Sequence, residues 1–203
     1  MPELAISDFT NIAVATGSPK NTKLRQIALR GDYAHYKDYY LQLRTAIKSL
    51  FSQKRHVSYL IDISRRQKDS SKKIKFERLA QNFIQWQSGK KIDVYASLRE
   101  SFVFNSTTIH CNPELSALIN GVRTHVKLHF TETQRMTKER ADYICYLMHE
   151  AIQEVGAEYI VLDLHSGQEF RLTSNRDRME EKVCQEILWI EQNWPIYLFE
   201  DYS

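Results

Sequence analysis

The dipeptide Asn120-Gly121 restricts the fold of this 203-residue chain more than any other feature. It separates two runs of strand-type residues within CNPELSALINGVRTHVKLHF, residues 111–130. Asn-Gly between such runs is the strongest short-range signal for a two-residue type I′ turn, because both central residues need positive φ. A two-residue turn also fixes the register of its strands. Ile119 is expected opposite Val122, Leu118 opposite Arg123, Ala117 opposite Thr124, Ser116 opposite His125 and Glu114 opposite Lys127. Val122, Thr124, Val126, Leu128 and Phe130 then point one way, and Arg123, His125, Lys127 and His129 the other. The basic row faces a carboxylate. One reading of Glu114 and Lys127 is a cross-strand ion pair on a solvated sheet face, worth about 0.2–1 kcal/mol. The other is a site in which Glu114 helps hold a divalent metal and Lys127 orients or activates a water near a phosphate.

The surrounding sequence supplies the elements. Tyr36, Tyr39, Tyr40, Leu43, Ile47 and Leu50 recur at helical spacing and predict a helix from about Tyr36 to Phe51. Val57, Leu60 and Ile61 suggest a short element, followed by a polar link, SRRQKDSSKK. A second helix is expected over Lys73 to Gln87, with Phe76, Leu79, Ala80 and Phe83 as its buried stripe and Gly89 ending it. SFVFNSTTIHC reads as one strand with an irregularity near Asn105-Ser106. After the hairpin, Thr137 is the expected N-cap of a helix reaching about Val155, with Gly156 beyond it. EYIVLDL is a strand turning at Ser166-Gly167 into EFRLT. A last helix from about Asn175 to Asn193 is expected to stop at Trp194-Pro195, with IYLF as a terminal strand. The early segment ATGSPKNTK reads as a loop. From Lys73 the order is helix, three strands in an antiparallel meander, crossover helix, and a strand parallel to one of the three. Residues 1–72 form a helical, basic extension packed on an α/β core of residues 73–203, together one compact domain.

With 42% hydrophobic residues and only 6 Gly and 4 Pro, the chain can bury a real core. No apolar run approaches the roughly 20 residues of a membrane-spanning helix, and the first residues carry no secretory pattern. Cys111, Cys145 and Cys184 are scattered and form no CxxC pair, as expected of reduced thiols in a soluble cytoplasmic protein. The net charge of +3 is unevenly placed. Basic residues from Arg44 to Arg78, including Arg65, Arg66, Lys72 and Lys73, are opposed only by Asp62, Asp69 and Glu77, whereas the C-terminal end is acidic. That asymmetry favours an anionic partner, nucleic acid being the commonest; a solvated helical face accounts for the same lysines equally well.

A helix, a strand opening with Pro113-Glu114, a hairpin, His125-Val126-Lys127 and a further helix together resemble the core of the PD-(D/E)XK nuclease superfamily, the restriction-endonuclease-like fold. The resemblance covers about Lys73 to Leu164. It implies an αβββαβ core with a mixed sheet, an acidic residue on the second strand (Glu114) and a (D/E)xK motif on the third (His125 to Lys127). It also implies a glutamate from the preceding helix, for which Glu77 in KFERLAQ is the candidate. The implied catalytic set is Glu114, Lys127, His125 and Glu77, with Mg²⁺ or Mn²⁺ held by Glu114 and His125. His125 stands where the family has an acid. Imidazole suits Mn²⁺ better than Mg²⁺, and its presence argues against catalysis. The expected function is a nucleic-acid-associated protein, either weakly metal-dependent or catalytically degenerate, with Arg65, Arg66, Lys72 and Lys73 tracking the phosphate backbone. The alternative is a non-enzymatic scaffold that binds a protein partner.

Other patterns carry less. Asp163 and His165 could join a site at the sheet rim. His149-Glu150 lacks the second histidine of a zincin, and no G-x-S-x-G is present. Tyr33, Tyr36, Tyr39 and Tyr40 beside Arg30 and Lys37 fit either base stacking or core packing.

Overall fold

The Asn120-Gly121 turn forms with positive φ at both residues, 51° and 87°. A computed structural model describes residues 1–30, 38–95 and 98–199. Strands β5 (Leu115–Ile119) and β6 (Val122–His129) flank the turn. They pair antiparallel in the expected register, with Ile119 opposite Val122 and Ser116 opposite His125. The Glu114 N–H donates to the Val126 carbonyl at 2.9 Å, which carries the ladder one residue further and brings Glu114 beside Lys127.

The chain begins with β1 (Glu3–Ala5), α1 (Ile6–Ala13), α2 (Gly17–Ala28), α3 (Leu41–Ser52), α4 (Ser58–Arg65) and α5 (Ser70–Gln87). Next come β2 (Ile92–Tyr95) and the hairpin β3 (Ser101–Phe104) and β4 (Thr107–His110). After β5 and β6 follow α6 (Lys138–Ile152), β7 (Glu158–Asp163), β8 (Gln168–Arg171) and α7 (Arg176–Phe199). The main sheet has the order β2-β5-β6-β7-β8. β2 and β6 each run antiparallel to β5 between them, β7 runs parallel to β6 after the α6 crossover, and β8 is antiparallel to β7. A smaller sheet, β1-β4-β3, joins β1 parallel to β4. Among the described residues no helix is long and apolar enough to cross a membrane.

Both faces of the main sheet are covered. Leu115, Val126, Leu128, Ile160 and Leu162 pack with Leu43, Ile47, Leu60, Phe76, Leu79 and Phe83 from α3, α4 and α5. On the other face Tyr159 and Val161 join a core that draws on β1, α1, α2, α6 and α7, including Leu4, Phe9, Leu24, Leu147 and Ile187. Described residues among the first 72 therefore contribute to both cores.

Local chemistry explains the helix starts. Asp69 caps α5 by accepting the Lys72 N–H at 2.6 Å, and Thr137 caps α6 through the Arg140 N–H at 3.2 Å. Several elements differ from the sequence reading. SFVFNSTTIHC is a hairpin in a separate sheet, because Asn105 takes φ 51° and turns the chain; the first strand of the meander is β2. ATGSPKNTK opens α2, where Pro19 sits in the first turn and loses no hydrogen bond there. α6 ends at Ile152 with Gln153 left-handed, three residues before Gly156. α7 continues past Pro195 to Phe199, so IYLF is helical; proline's fixed φ is compatible with the helix and removes one backbone donor. α3 starts at Leu41, and Tyr33, Tyr36 and Lys37 lie outside the described residues.

Candidate functional site

Because the sheet is covered on both sides, the polar row of β6 from His125 to His129 is largely buried, while Arg123 beside the turn is exposed. Each member has a partner within the protein, and Arg123 and His125 share Glu154. Glu114 is 6% exposed. Its Oε1 accepts from Lys127 Nζ at 3.0 Å, and its Oε2 accepts from the Leu128 backbone N–H at 2.8 Å. Lys127 Nζ also donates to the Asn112 carbonyl at 2.8 Å. Arg44, from α3, brings its Nε to 3.6 Å from Glu114 Oε1, pairs with Asp38, and lies 5.1 Å over the Phe130 ring. One turn along the same helix, burial pulls the Lys48 ammonium below its ordinary pKa. Glu114 opposes that shift, and Lys127, Arg44 and Arg99 add to it. Glu114 is thus bonded to Lys127 and ion-paired with Arg44, and Lys48 lies within electrostatic reach of all three.

Two residues before Lys127, His125 is solvent-free. Its Nε2 donates to Glu154 Oε2 at 2.7 Å, and its Nδ1 accepts from the Ser116 hydroxyl at 3.0 Å, the pattern of a neutral imidazole. Burial lowers its pKa, against the pull of Glu154. Tyr159 stacks on the ring at 5.2 Å, and Tyr95 and Arg123 also reach Glu154. Burial tends to raise the Glu154 carboxyl, but the hydrogen bonds from His125 and Arg123 hold it below its ordinary value. Ser116, His125 and Glu154 form a serine–histidine–carboxylate chain. The serine is 0% exposed, so no substrate can reach it. His129 donates from Nε2 to the Gln134 carbonyl at 2.8 Å, and burial again lowers its pKa.

A cavity of about 140 Å³ opens beyond the Glu114–Lys127 pair, between the end of β6, α1, Arg44 of α3 and Arg140 of α6. Glu77, half-buried on α5, does not line it. Among the described residues no group of three or more His, Cys, Asp or Glu stands close enough to hold a metal ion. Both oxygens of Glu114 and both nitrogens of His125 already have protein partners, so this donor set does not fit the expected Mg²⁺ or Mn²⁺. The strand places Glu114, Lys127 and His125 in one row. They do not form one ligand set.

The basic residues singled out in the sequence lie elsewhere. Arg65 ends α4, Arg66 follows it, and Lys72 and Lys73 occupy the first turn of α5. Arg65, Arg66 and Lys73 are exposed, while Lys72 lies 4.9 Å over Tyr39 and 5.0 Å over Phe76. Asp163 and His165 build a turn: Asp163 accepts from the His165 N–H at 3.2 Å and from Ser166 Oγ at 2.7 Å. His165 donates to the Phe130 carbonyl at 2.7 Å. Burial pushes the Cys111 and Cys145 thiols up to about 12, which removes them as nucleophiles. The sequence reading missed Arg140 and Glu154 and counted Arg44 only among the diffuse basic residues. Its one usable signal for Arg140 was a charged residue on the apolar face of the α6 stripe.

No protein-family model matches the chain, and neither does any curated protein.

Two outcomes follow from this geometry. Lys127→Met leaves the Glu114 carboxylate buried with fewer donors, and is expected to lower the unfolding free energy by about 3 kcal/mol in chemical denaturation. Adding Glu114→Gln should recover part of that loss, because no uncompensated charge remains. The second concerns pH. His125 and His129 have folded pKa values below the ordinary 6.5. The unfolded chain therefore takes up protons first as pH falls through about 6.5, and the stabilisation present above that value is lost. Stability should decline from about pH 7.5 to about pH 5.5, and His125→Gln should flatten that slope.

Proposed function

We propose that this chain is a nucleic-acid-associated protein with a nuclease-like fold whose strand-borne site reads phosphate and does not hydrolyse it. The observation that carries the reading is the placement of Glu114 with Lys127, Arg44 and Lys48, with both carboxylate oxygens engaged inside the protein. A metal-dependent nuclease needs carboxylate oxygens free to ligate a cation between protein and phosphate. Here the protein's own cations occupy that role, and the remaining excess of positive charge suits a phosphate.

The order of the main-sheet elements supports the same reading. Helix α5, the antiparallel strands β2, β5 and β6, crossover α6 and parallel β7 follow the αβββαβ sequence that the PD-(D/E)XK resemblance implies, with Glu114 at the second strand and Lys127 on the third. The β3–β4 hairpin is an insertion between the first two strands. Exposed Arg65, Arg66 and Lys73, with Lys72 beside them, offer a second basic surface for backbone contact.

Fluorescence anisotropy with labelled single-stranded DNA, duplex DNA and RNA tests the proposal. Affinity is expected to fall steeply between about 50 and 200 mM salt. Each neutralised phosphate contact among Arg65, Arg66, Lys72 and Lys73 should lower the salt slope by about 1, with little dependence on sequence. Incubation with Mg²⁺ or Mn²⁺ should give no cleavage that distinguishes wild type from Glu114→Gln or Lys127→Met. Absence of binding at low salt would remove nucleic acid as the partner. Metal-dependent cleavage abolished by either substitution would replace phosphate reading with catalysis.

A further inference from the structure

One exposed apolar side chain of α5 sits in the middle of a basic surface. Ile74 is 70% exposed, and its neighbours on the helix are Lys72, Lys73, Lys75 and Arg78. Ser70, Ser71, Ile74, Lys75 and Arg78 form one wall of an open groove of about 380 Å³, and Glu132 from the β6–α6 loop stands across from them. Tyr39 lies beside the groove, 42% exposed, with its ring edge-on to Phe76 at 5.8 Å. Lys75 connects the two, its Nζ being 5.8 Å from the Tyr39 ring centroid and 3.8 Å from Glu132 Oε2. Lys72 Nζ lies 4.9 Å over the same ring. An exposed isoleucine by itself is ordinary. An exposed isoleucine and an exposed tyrosine together, at a groove rimmed by cations, suit a ligand that is both anionic and aromatic.

The charges separate the two parts of such a ligand. Inside the groove, Glu132 pairs with Arg78 at 3.3 Å and with Lys75, so a phosphate there would meet a carboxylate and cations already engaged. A nucleobase would not: its ring can lie against Ile74, and its amino and imino N–H groups can donate to the carboxylate. Outside the groove, exposed Arg65, Arg66, Lys68 and Lys73 belong to the segment that ends α4 and opens α5. Asp69, the acid within that segment, is committed to capping α5. Phosphates therefore suit the surroundings of the groove and a base suits its interior. Duplex nucleic acid keeps its bases stacked inside and would leave Ile74 and Tyr39 without a role. A single strand exposes base faces, and proteins that bind one combine a basic track with side chains on which bases stack.

We infer that the groove between α5 and Glu132 receives an unstacked base of a single-stranded nucleic acid, with Ile74 and Tyr39 as its apolar contacts. Arg65, Arg66, Lys68 and Lys73 hold the adjoining phosphates. The inference rests on the nucleic-acid reading above and names the class of nucleic acid: single strands in preference to duplex. It assigns affinity on this surface to two kinds of side chain that respond differently to salt. Contacts of the cations with phosphate release counter-ions and weaken as salt rises, whereas apolar contact with a base releases none.

Labelled single-stranded DNA, single-stranded RNA and a duplex of the same length are titrated with the full chain across a range of salt. One of the single strands should bind about tenfold or more tightly than the duplex, and the tighter of the two identifies the sugar. Tyr39→Leu should weaken single-strand binding by about tenfold and leave the salt slope unchanged, because a stacking surface is lost and no charge is. Ile74→Ser alters a side chain that is 70% exposed, so the fold does not depend on it. It should weaken single-strand binding about threefold or more, again at constant slope, and leave duplex binding as in wild type. Ile74→Trp, with a larger stacking surface at the same position, should tighten single-strand binding. Salt-dependent binding that is equal for duplex and single strands and indifferent to Ile74→Ser would overturn this inference and keep the wider reading. No salt-dependent binding to any of the three would overturn both. Ile74-dependent binding to vesicles of anionic lipid, with none to single strands, would make the surface a membrane contact and overturn the inference as well.

Discussion

The register set by the Asn120-Gly121 turn is the constraint on which the rest of this structure depends. Away from the turn both strands are buried on both faces, so a slip of one residue would turn Val126 and Leu128 away from α5 and drive Lys127 and His129 toward the apolar core. The same register brings Glu114 beside Lys127 and Ser116 beside His125. A backbone conformation that Asn and Gly tolerate at positive φ thus determines which carboxylate meets which cation.

Covering a polar strand face with helices is costly unless each group on it finds a partner. The chain meets that cost with three separate arrangements along β6. His125 is held neutral between Ser116 and Glu154, Lys127 between Glu114 and the Asn112 carbonyl, and His129 against the Gln134 carbonyl. Among the described residues, the buried side-chain polar atoms without a hydrogen-bond partner are Arg44 Nε and Arg140 Nε, on α3 and α6.

Much of the local structure was legible in the sequence. The hairpin register, the capping residue Thr137, the Phe76-Leu79-Phe83 stripe and the parallel return of β7 each follow from spacing or turn chemistry. The errors came where a short signal had two meanings. Asn105-Ser106 resembled an irregularity in one strand, and the separate sheet it belongs to exists because β1, about a hundred residues earlier, pairs with β4. The alternation of β6 suggested a wet face, since alternating strands usually cover one side only; its burial depends on α1 and α6 packing over it. Arg44 and Arg140 converge from elements ninety-odd residues apart, and no local pattern connects them to Lys127. The resemblance to a nuclease core implied a metal on Glu114 and His125; that the Glu114 oxygens are bonded by Lys127 and the Leu128 N–H is not visible in residue spacing.

The central claim is that Glu114 is held by the protein's own donors and is not a metal ligand. Titration of Mn²⁺ into isotopically labelled protein, with the amide signals of Lys127 and Leu128 observed by NMR, tests it most directly, because the Leu128 N–H is bonded to the carboxylate in question. Those signals should stay as sharp as signals elsewhere in β6 throughout the titration. Saturable paramagnetic broadening centred on Lys127 and Leu128 would place the metal on Glu114 and contradict the account.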